Sequence, residues 1–236
     1  MLNKKEYVFY DPAGKRGWID IEICQSARYG APGMRREKRK KPTPEQVKKQ
    51  NLKNKEIRIW RYIRANFKEG DYWITLTYRP KERPPDVKIV QDHFAKFRKK
   101  IRGAYRKYEK ELKYIYSIEL GSKGGIHIHM ILNRMDKTDQ EIVRAWSHGH
   151  AHITPLYKEG EYRKLAAYIA KADIYNHSRN LIFPRRRIKQ LRNRAWKRQP
   201  RAYKGYYVDK KSIVTGINPV TGTQFMHYTM VRFRRD

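Results

Sequence analysis

The 236 residues carry 56 Lys and Arg against 23 Asp and Glu, a net charge of +33, with 39% hydrophobic and 13% aromatic residues. That apolar content excludes a disordered basic tail, and so much unbalanced charge calls for an anionic partner, nucleic acid before an anionic membrane. Cys24 stands alone, which excludes an internal disulfide and a multi-cysteine zinc site; with no run of about 20 apolar residues and no apolar core in the leading MLNKKEYVFYDP, a cytoplasmic, membrane-free protein is expected.

Residues 6–24 read as one or two strands, followed by a Gly/Pro/Arg-rich loop that includes the basic run Arg35–Lys41. Thr43-Pro44 has the form of a helix start, continued at helical spacing by Leu52, Ile59, Trp60, Ile63 and Phe67. Tyr72, Ile74, Leu76 and Tyr78 then alternate with Trp73, Thr75 and Thr77, the period of a half-buried strand. Pro84-Pro85-Asp86 opens a helix through Val90, Phe94, Phe97, Ile101, Tyr105 and Tyr108. Strands are expected over 114–120 and 126–132, joined by a Gly-rich turn at 121–125. Thr138 and Glu141 have the spacing of a capping box for a short helix that Gly149 stops. A strand over 150–156 and a helix over about 161–175 complete the series.

This order, β-α-β-β-α-β with a further helix, predicts an α+β fold of ferredoxin-like order. Two helices cover one face of a central antiparallel sheet, and the other face is left to a ligand or to the last helix. The expected division is an N-terminal segment 1–56, a core 57–178 and a basic C-terminal extension 179–236 ending in strands around the Asn218–Gly222 turn.

In the stretch Ile126–Leu132, His127 and His129 are two residues apart, so on a strand they share a face while Ile126, Ile128 and Met130 enter the core. Two imidazoles on one rigid face can hold two positions around a cation, and Glu119, on the neighbouring strand of a hairpin, can supply a carboxylate. Such a set leaves positions open for a phosphate oxygen. The bland alternative is a pair of hydrogen-bonded histidines on a half-exposed sheet. In the last helix Lys164, Tyr168, Lys171 and Tyr175 share one flank beside the apolar stripe Leu165, Ile169, Ala172. The flanking ammonium groups would favour the phenolate of Tyr168 and hold a phosphate; taken alone, an amphipathic helix with a boundary tyrosine explains the same pattern. His148, His150 and His152 form a competing cluster with no acidic residue close by, better suited to a DNA-facing surface than to a rival metal site.

Thr75-Leu76-Thr77, His127-Ile128-His129 and Tyr168-Ile169-Ala170-Lys171, in that order over roughly residues 70–176, resemble the motifs of the HUH endonuclease superfamily, and within it the rolling-circle replication initiator (Rep) proteins with one catalytic tyrosine. The resemblance implies Mg²⁺ or Mn²⁺ on His127, His129 and Glu119. It implies attack by Tyr168 on a single-stranded or unpaired origin DNA, a 5′-phosphotyrosine and a free 3′-OH, with Lys171 positioning the phosphate and Tyr175 as a possible second nucleophile. No Gly-x-x-x-x-Gly-Lys-Ser/Thr run is present, so a separate, host helicase and a DNA polymerase are implied as partners. DNA contacts are expected from Thr75, Thr77 and Lys164, and from Arg185, Arg186, Arg187, Arg192, Arg194, Lys197 and Arg198 in a phosphate-contacting arm. A transposase or mobilisation relaxase would use the same chemistry. An RNA-recognition module shares the element order but presents aromatics where this chain has His127 and His129.

Overall fold

The computed structural model describes residues 2–10, 16–25, 41–120, 125–157, 162–191 and 200–233. Its elements run β1 (Leu2–Tyr10), β2 (Arg16–Gln25), α1 (Pro44–Asn66), β3 (Tyr72–Thr77), α2 (Val87–Lys107), β4 (Tyr114–Leu120) and β5 (Ile126–Leu132). There follow α3 (Thr138–Ala145), β6 (Ala151–Pro155), α4 (Tyr162–Lys171), β7 (Ile174–His177), β8 (Arg185–Leu191), β9 (Tyr206–Ile217) and β10 (Gln224–Arg232). The chain divides into two compact units, Lys53–Ile182 and Met1–Leu52 with Phe183–Asp236. The fold is α+β, as the sequence predicts. The turn expected at 121–125 and the basic run Arg35–Lys41 lie outside the described residues except for Gly125 and Lys41.

In the unit Lys53–Ile182 the sheet order is β6-β3-β5-β4-β7, every pair antiparallel. The alternation in β3 translates directly into packing: Tyr72, Ile74 and Leu76 are buried with Ile128 and Met130 of β5. Against that face α2 lays Val90, Phe94, Phe97, Ile101 and Tyr105, and α3 lays Ile142. Asp86 caps α2 by accepting from the Lys88 amide at 3.0 Å, as the Pro-Pro-Asp start suggests. At α1 the Thr43 hydroxyl accepts from the Gln46 amide while the Gln46 side chain accepts from the Thr43 amide, a reciprocal cap.

Two local expectations do not hold in this unit. Thr138 and Glu141 form no capping box: the Thr138 hydroxyl turns back to donate to the Met135 carbonyl and accept from its amide, and Lys137, in the left-handed region at φ 59°, takes the cap position. The last helix stops at Lys171 rather than near Tyr175. Residues 174–177 instead pair with β4, whose outer edge would otherwise expose unpaired backbone groups. Tyr175 therefore stands on a strand, not on the flank of the helix that carries Tyr168.

The second unit is a sheet of order β8-β1-β2-β10-β9 that joins strands from both ends of the chain. Leu2, Val8, Ile19, Ile21, Ile23, Met226, Tyr228 and Met230 form its core. The expected turn at Asn218–Gly222 links β9 and β10, with Gly222 at φ 63°. The segment read as a basic arm begins as strand β8, paired with β1 from Leu191 back to Arg185. No described helix is long and apolar enough to cross a membrane.

Candidate functional site

Register brings the motifs of the sheet onto one face. Thr75 lies opposite His129 on one side and His152 on the other; Ser117 lies opposite His129 and Tyr175; Glu119 lies opposite His127. The side chains facing the other way, among them Ile118, Ile128 and Met130, are in the core. The His face is the one that α4 meets. Tyr162, Ala166, Ile169 and Ala170 are the buried positions of α4, a stripe slightly rotated from the expected Leu165–Ile169–Ala172, while Lys164, Tyr168 and Lys171 are exposed.

Tyr168 reaches from this helix onto the sheet. Its hydroxyl donates a short hydrogen bond to Glu119 Oε2 and lies 2.9 Å from His129 Nε2. Glu119 Oε2 and His129 Nε2 are themselves 3.4 Å apart. The phenol has one proton, and it goes to Glu119. The contact with His129 is then satisfied when Nε2–H donates to the phenolic oxygen and the Thr75 hydroxyl, 3.1 Å from Nδ1, donates to that nitrogen. A hydroxyl can equally accept, so Thr75 also serves the opposite tautomer, in which Nε2 offers a lone pair. Its partner here is thus His129, and any contact it makes with DNA is additional to that bond.

Burial holds His129 below the ordinary histidine range, outweighing the raising effect of Glu119. It is neutral at pH 7, so its contact with Glu119 is a hydrogen-bonding proximity and not an ion pair. The phenol of Tyr168 is pushed up to about 12, by burial first and then by Glu119 as acceptor and charge. This reverses the sequence expectation: the ammonium groups of Lys164 and Lys171 do not dominate, because the nearest charge is a carboxylate. Even so, Tyr168 remains 41% exposed, open to a polymer from outside. A cleft of about 370 Å³ lies beside it, lined in part by Glu119, Leu120, Lys171 and Asp173.

The remaining predicted residues separate into those near this point and those away from it. His127 shares the face, with ring centroid 6.2 Å from that of His129, but its Nε2 is turned toward Gly125. Among the described residues, no three His, Cys, Asp or Glu side chains converge as a ready metal site. Glu119 and His129 do converge, and His127 is within reach of them by side-chain rotation. A carboxylate, a neutral imidazole and a second imidazole suit a hard or borderline divalent cation, so the donor set fits Mg²⁺ or Mn²⁺.

Thr77 directs its hydroxyl to the His150 carbonyl at 3.2 Å. His150 and His152 are exposed, and His148 stacks on His93 instead of joining them, so the second histidine cluster is not assembled. Tyr175 packs under Lys55 and beside His177. Its hydroxyl is buried, without a hydrogen-bond partner among the described residues, and is shifted up to about 12 by burial. Arg185 and Arg186 are exposed and Arg187 is half-buried on β8. Arg192, Arg194, Lys197 and Arg198 lie outside the described residues.

Trp73 is the residue that sequence reading passed over. Its ring stacks on His129 at 5.3 Å and 4°, and meets Tyr168 edge-on at 6.1 Å. Its position two before Thr75 places it on the His face of β3, and that parity was the available signal.

Residues 71–173 match a family model for the replication-associated protein ORF2, a stretch from just before β3 to just past α4. No curated protein and no solved structure matches the chain.

Proposed function

We propose that this unit nicks and rejoins single-stranded or unpaired origin DNA through Tyr168, as an HUH-type initiator of plasmid or phage rolling-circle replication. The observation that carries the reading is the meeting of the Tyr168 hydroxyl with Glu119 and with His129 of the His–hydrophobic–His strand. The match of residues 71–173 to a replication-associated family supports it. The His face also argues against a base-reading sheet, since Trp73 and Tyr168 already lie against His129.

The chemistry is a transesterification. The phenolic oxygen of Tyr168 forms a bond to the scissile phosphorus, the bond from phosphorus to the 3′ oxygen breaks, and the proton lost by the phenol is balanced by one gained at that oxygen. The products are a 5′-phosphotyrosine and a 3′-OH that a polymerase can extend. No water is consumed, so the reverse step rejoins the strand without ATP. His129, Glu119 and, after rotation, His127 would hold Mg²⁺ or Mn²⁺; when bound, such a cation polarises a phosphate oxygen as a Lewis acid. Thr75 and Trp73 fix the ring of His129. Lys171, at the cleft mouth, supplies positive charge for the incoming phosphate. Unwinding and extension fall to a separate helicase and polymerase of the host.

The polarity of the adduct gives a specific test. A pool of single strands of randomised sequence, labelled at the 3′ end, is incubated with the protein and Mn²⁺ and resolved under denaturing conditions. The 3′ label is expected to stay with the protein, and 5′-labelled strands to yield shorter free fragments; EDTA should abolish both. Absence of retained label with either Mg²⁺ or Mn²⁺ would defeat the nicking reading.

A further inference from the structure

On the opposite side of this sheet, α2 carries a feature that nicking does not use. From Ala95 to Lys107 the helix contains seven cations and no carboxylate. Arg98 turns inward to the Tyr114 hydroxyl at 3.1 Å, whereas Lys96, Lys99, Lys100, Arg102, Arg106 and Lys107 are exposed. None of these six is in an ion pair among the described residues. Arg106 and Lys107 gain something from the helix C-terminus, where the dipole favours cations, but Lys96, Lys99 and Lys100 stand more than a turn away from that end. Their mutual repulsion goes uncompensated in the free protein.

The ridge spans about 16 Å at 1.5 Å per residue, with cations recurring each helical turn. At its N-terminal end it borders a cleft of about 390 Å³ against the end of α3, with Phe97 and Trp146 among its apolar lining and His93 and His148 stacked at 3.9 Å and 11°. The Tyr78 hydroxyl lies 3.3 Å from His93 Nδ1 and helps fix the pair. Straight, rigid and cationic, the surface is complementary to a phosphate backbone. Single strands are gripped by exposed rings on which bases stack. Between Lys96 and Lys107 the rings of Phe97 and Tyr105 are buried, so backbone contact is what the ridge offers, and a duplex presents backbone with its bases already stacked.

We propose that the exposed cations of α2, with the His93–His148 cleft at their end, bind the phosphate backbone of double-stranded DNA flanking the strand to be cut. The protein thereby holds a duplex on one side of the sheet while the single strand is handled on the other. The role in flanking a cut strand rests on the nicking reading; the duplex site itself does not.

The test is duplex binding in EDTA, where no cleavage occurs, with a 20-base-pair duplex and a single strand of the same length as probes. The variant Lys96→Gln/Lys99→Gln/Lys100→Gln retains helix-favouring residues. It is expected to weaken duplex binding at least about tenfold and to flatten the dependence of log affinity on log salt by about 2–3, at roughly 0.9 for each phosphate no longer neutralised. The charge-matched control Lys48→Gln/Lys49→Gln/Lys53→Gln on α1 should change duplex binding by no more than about a third of that loss. Equal losses in variant and control, equal losses for duplex and single strand, or unchanged duplex affinity would each overturn the proposal.

Amine-reactive labelling of the unmodified protein adds a readout that does not depend on variant folding. Lys96, Lys99 and Lys100 should become protected when duplex is added and not when single strand is; unchanged reactivity overturns the assignment. Failure of the wild-type protein to retain DNA covalently would defeat nicking and leave these binding outcomes standing, so the two readings fail separately.

Discussion

Tyr168→Phe is expected to lower the rate of covalent DNA capture by at least about a thousandfold, the scale on which removing a nucleophile acts. The substitution deletes one oxygen and leaves the ring where it packs, edge-on to both Trp73 and His129. Binding of single-stranded DNA and thermal stability should therefore stay close to those of the parent protein, which separates loss of chemistry from loss of structure. No neighbouring hydroxyl among the described residues is placed to substitute. Tyr175 stands on β7 opposite Ser117 with its hydroxyl buried, and the hydroxyl of Thr75 is committed to His129. Single-turnover adduct formation, measured at saturating protein, checks this. Undiminished capture in the variant would move the nucleophile elsewhere.

Gly149→Ala should be among the most destabilising single-methyl changes in the chain. A Cβ at this position would lie 2.1 Å from the Thr77 carbonyl oxygen and 2.9 Å from two backbone carbons, so relief requires moving backbone rather than a flexible side chain. The carbonyl in question accepts the Trp146 indole N–H at 3.0 Å, and the neighbouring amide of Thr77 donates to the His150 carbonyl at 2.9 Å. Forcing them apart loosens the junction of β3, α3 and β6. Overpacking of this kind costs about 1–3 kcal/mol, and more where backbone must yield. For a chain of this size that lowers the midpoint of thermal unfolding by about 2–12 °C. A melting temperature unchanged to within about 1 °C would show that the close approach is not maintained in solution.

Sequence reasoning succeeded where one side chain pattern served one packing demand. The strands at Tyr114–Leu120 and Ile126–Leu132 are those expected, because a hairpin with one apolar face leaves a single workable register, and that register delivers Glu119 opposite His127. It failed where the demand came from a distant edge. Ile174–His177 continues the helical spacing of the preceding residues, yet pairs with β4 because β4 needs a neighbour. Arg185–Leu191 has no alternation at all and becomes a strand because β1, from the far end of the chain, supplies the partner backbone. Within the site, Tyr168, His129 and Glu119 were legible as residue types on the right elements. What the sequence could not supply was the balance of charge around the phenol. Helical spacing puts Lys164 and Lys171 near Tyr168, but only the fold reveals that Glu119 is its hydrogen-bond acceptor.

The most direct measurement is identification of the residue that carries DNA after the reaction. Protein incubated with single-stranded DNA and Mn²⁺ is digested with nuclease and protease, and the peptide bearing the residual nucleotide is sequenced by tandem mass spectrometry. The account predicts a nucleotide 5′-phosphate esterified to Tyr168. Modification at Tyr175, at a serine or at another tyrosine, or release of free 5′-phosphate ends with no modified peptide, would contradict it.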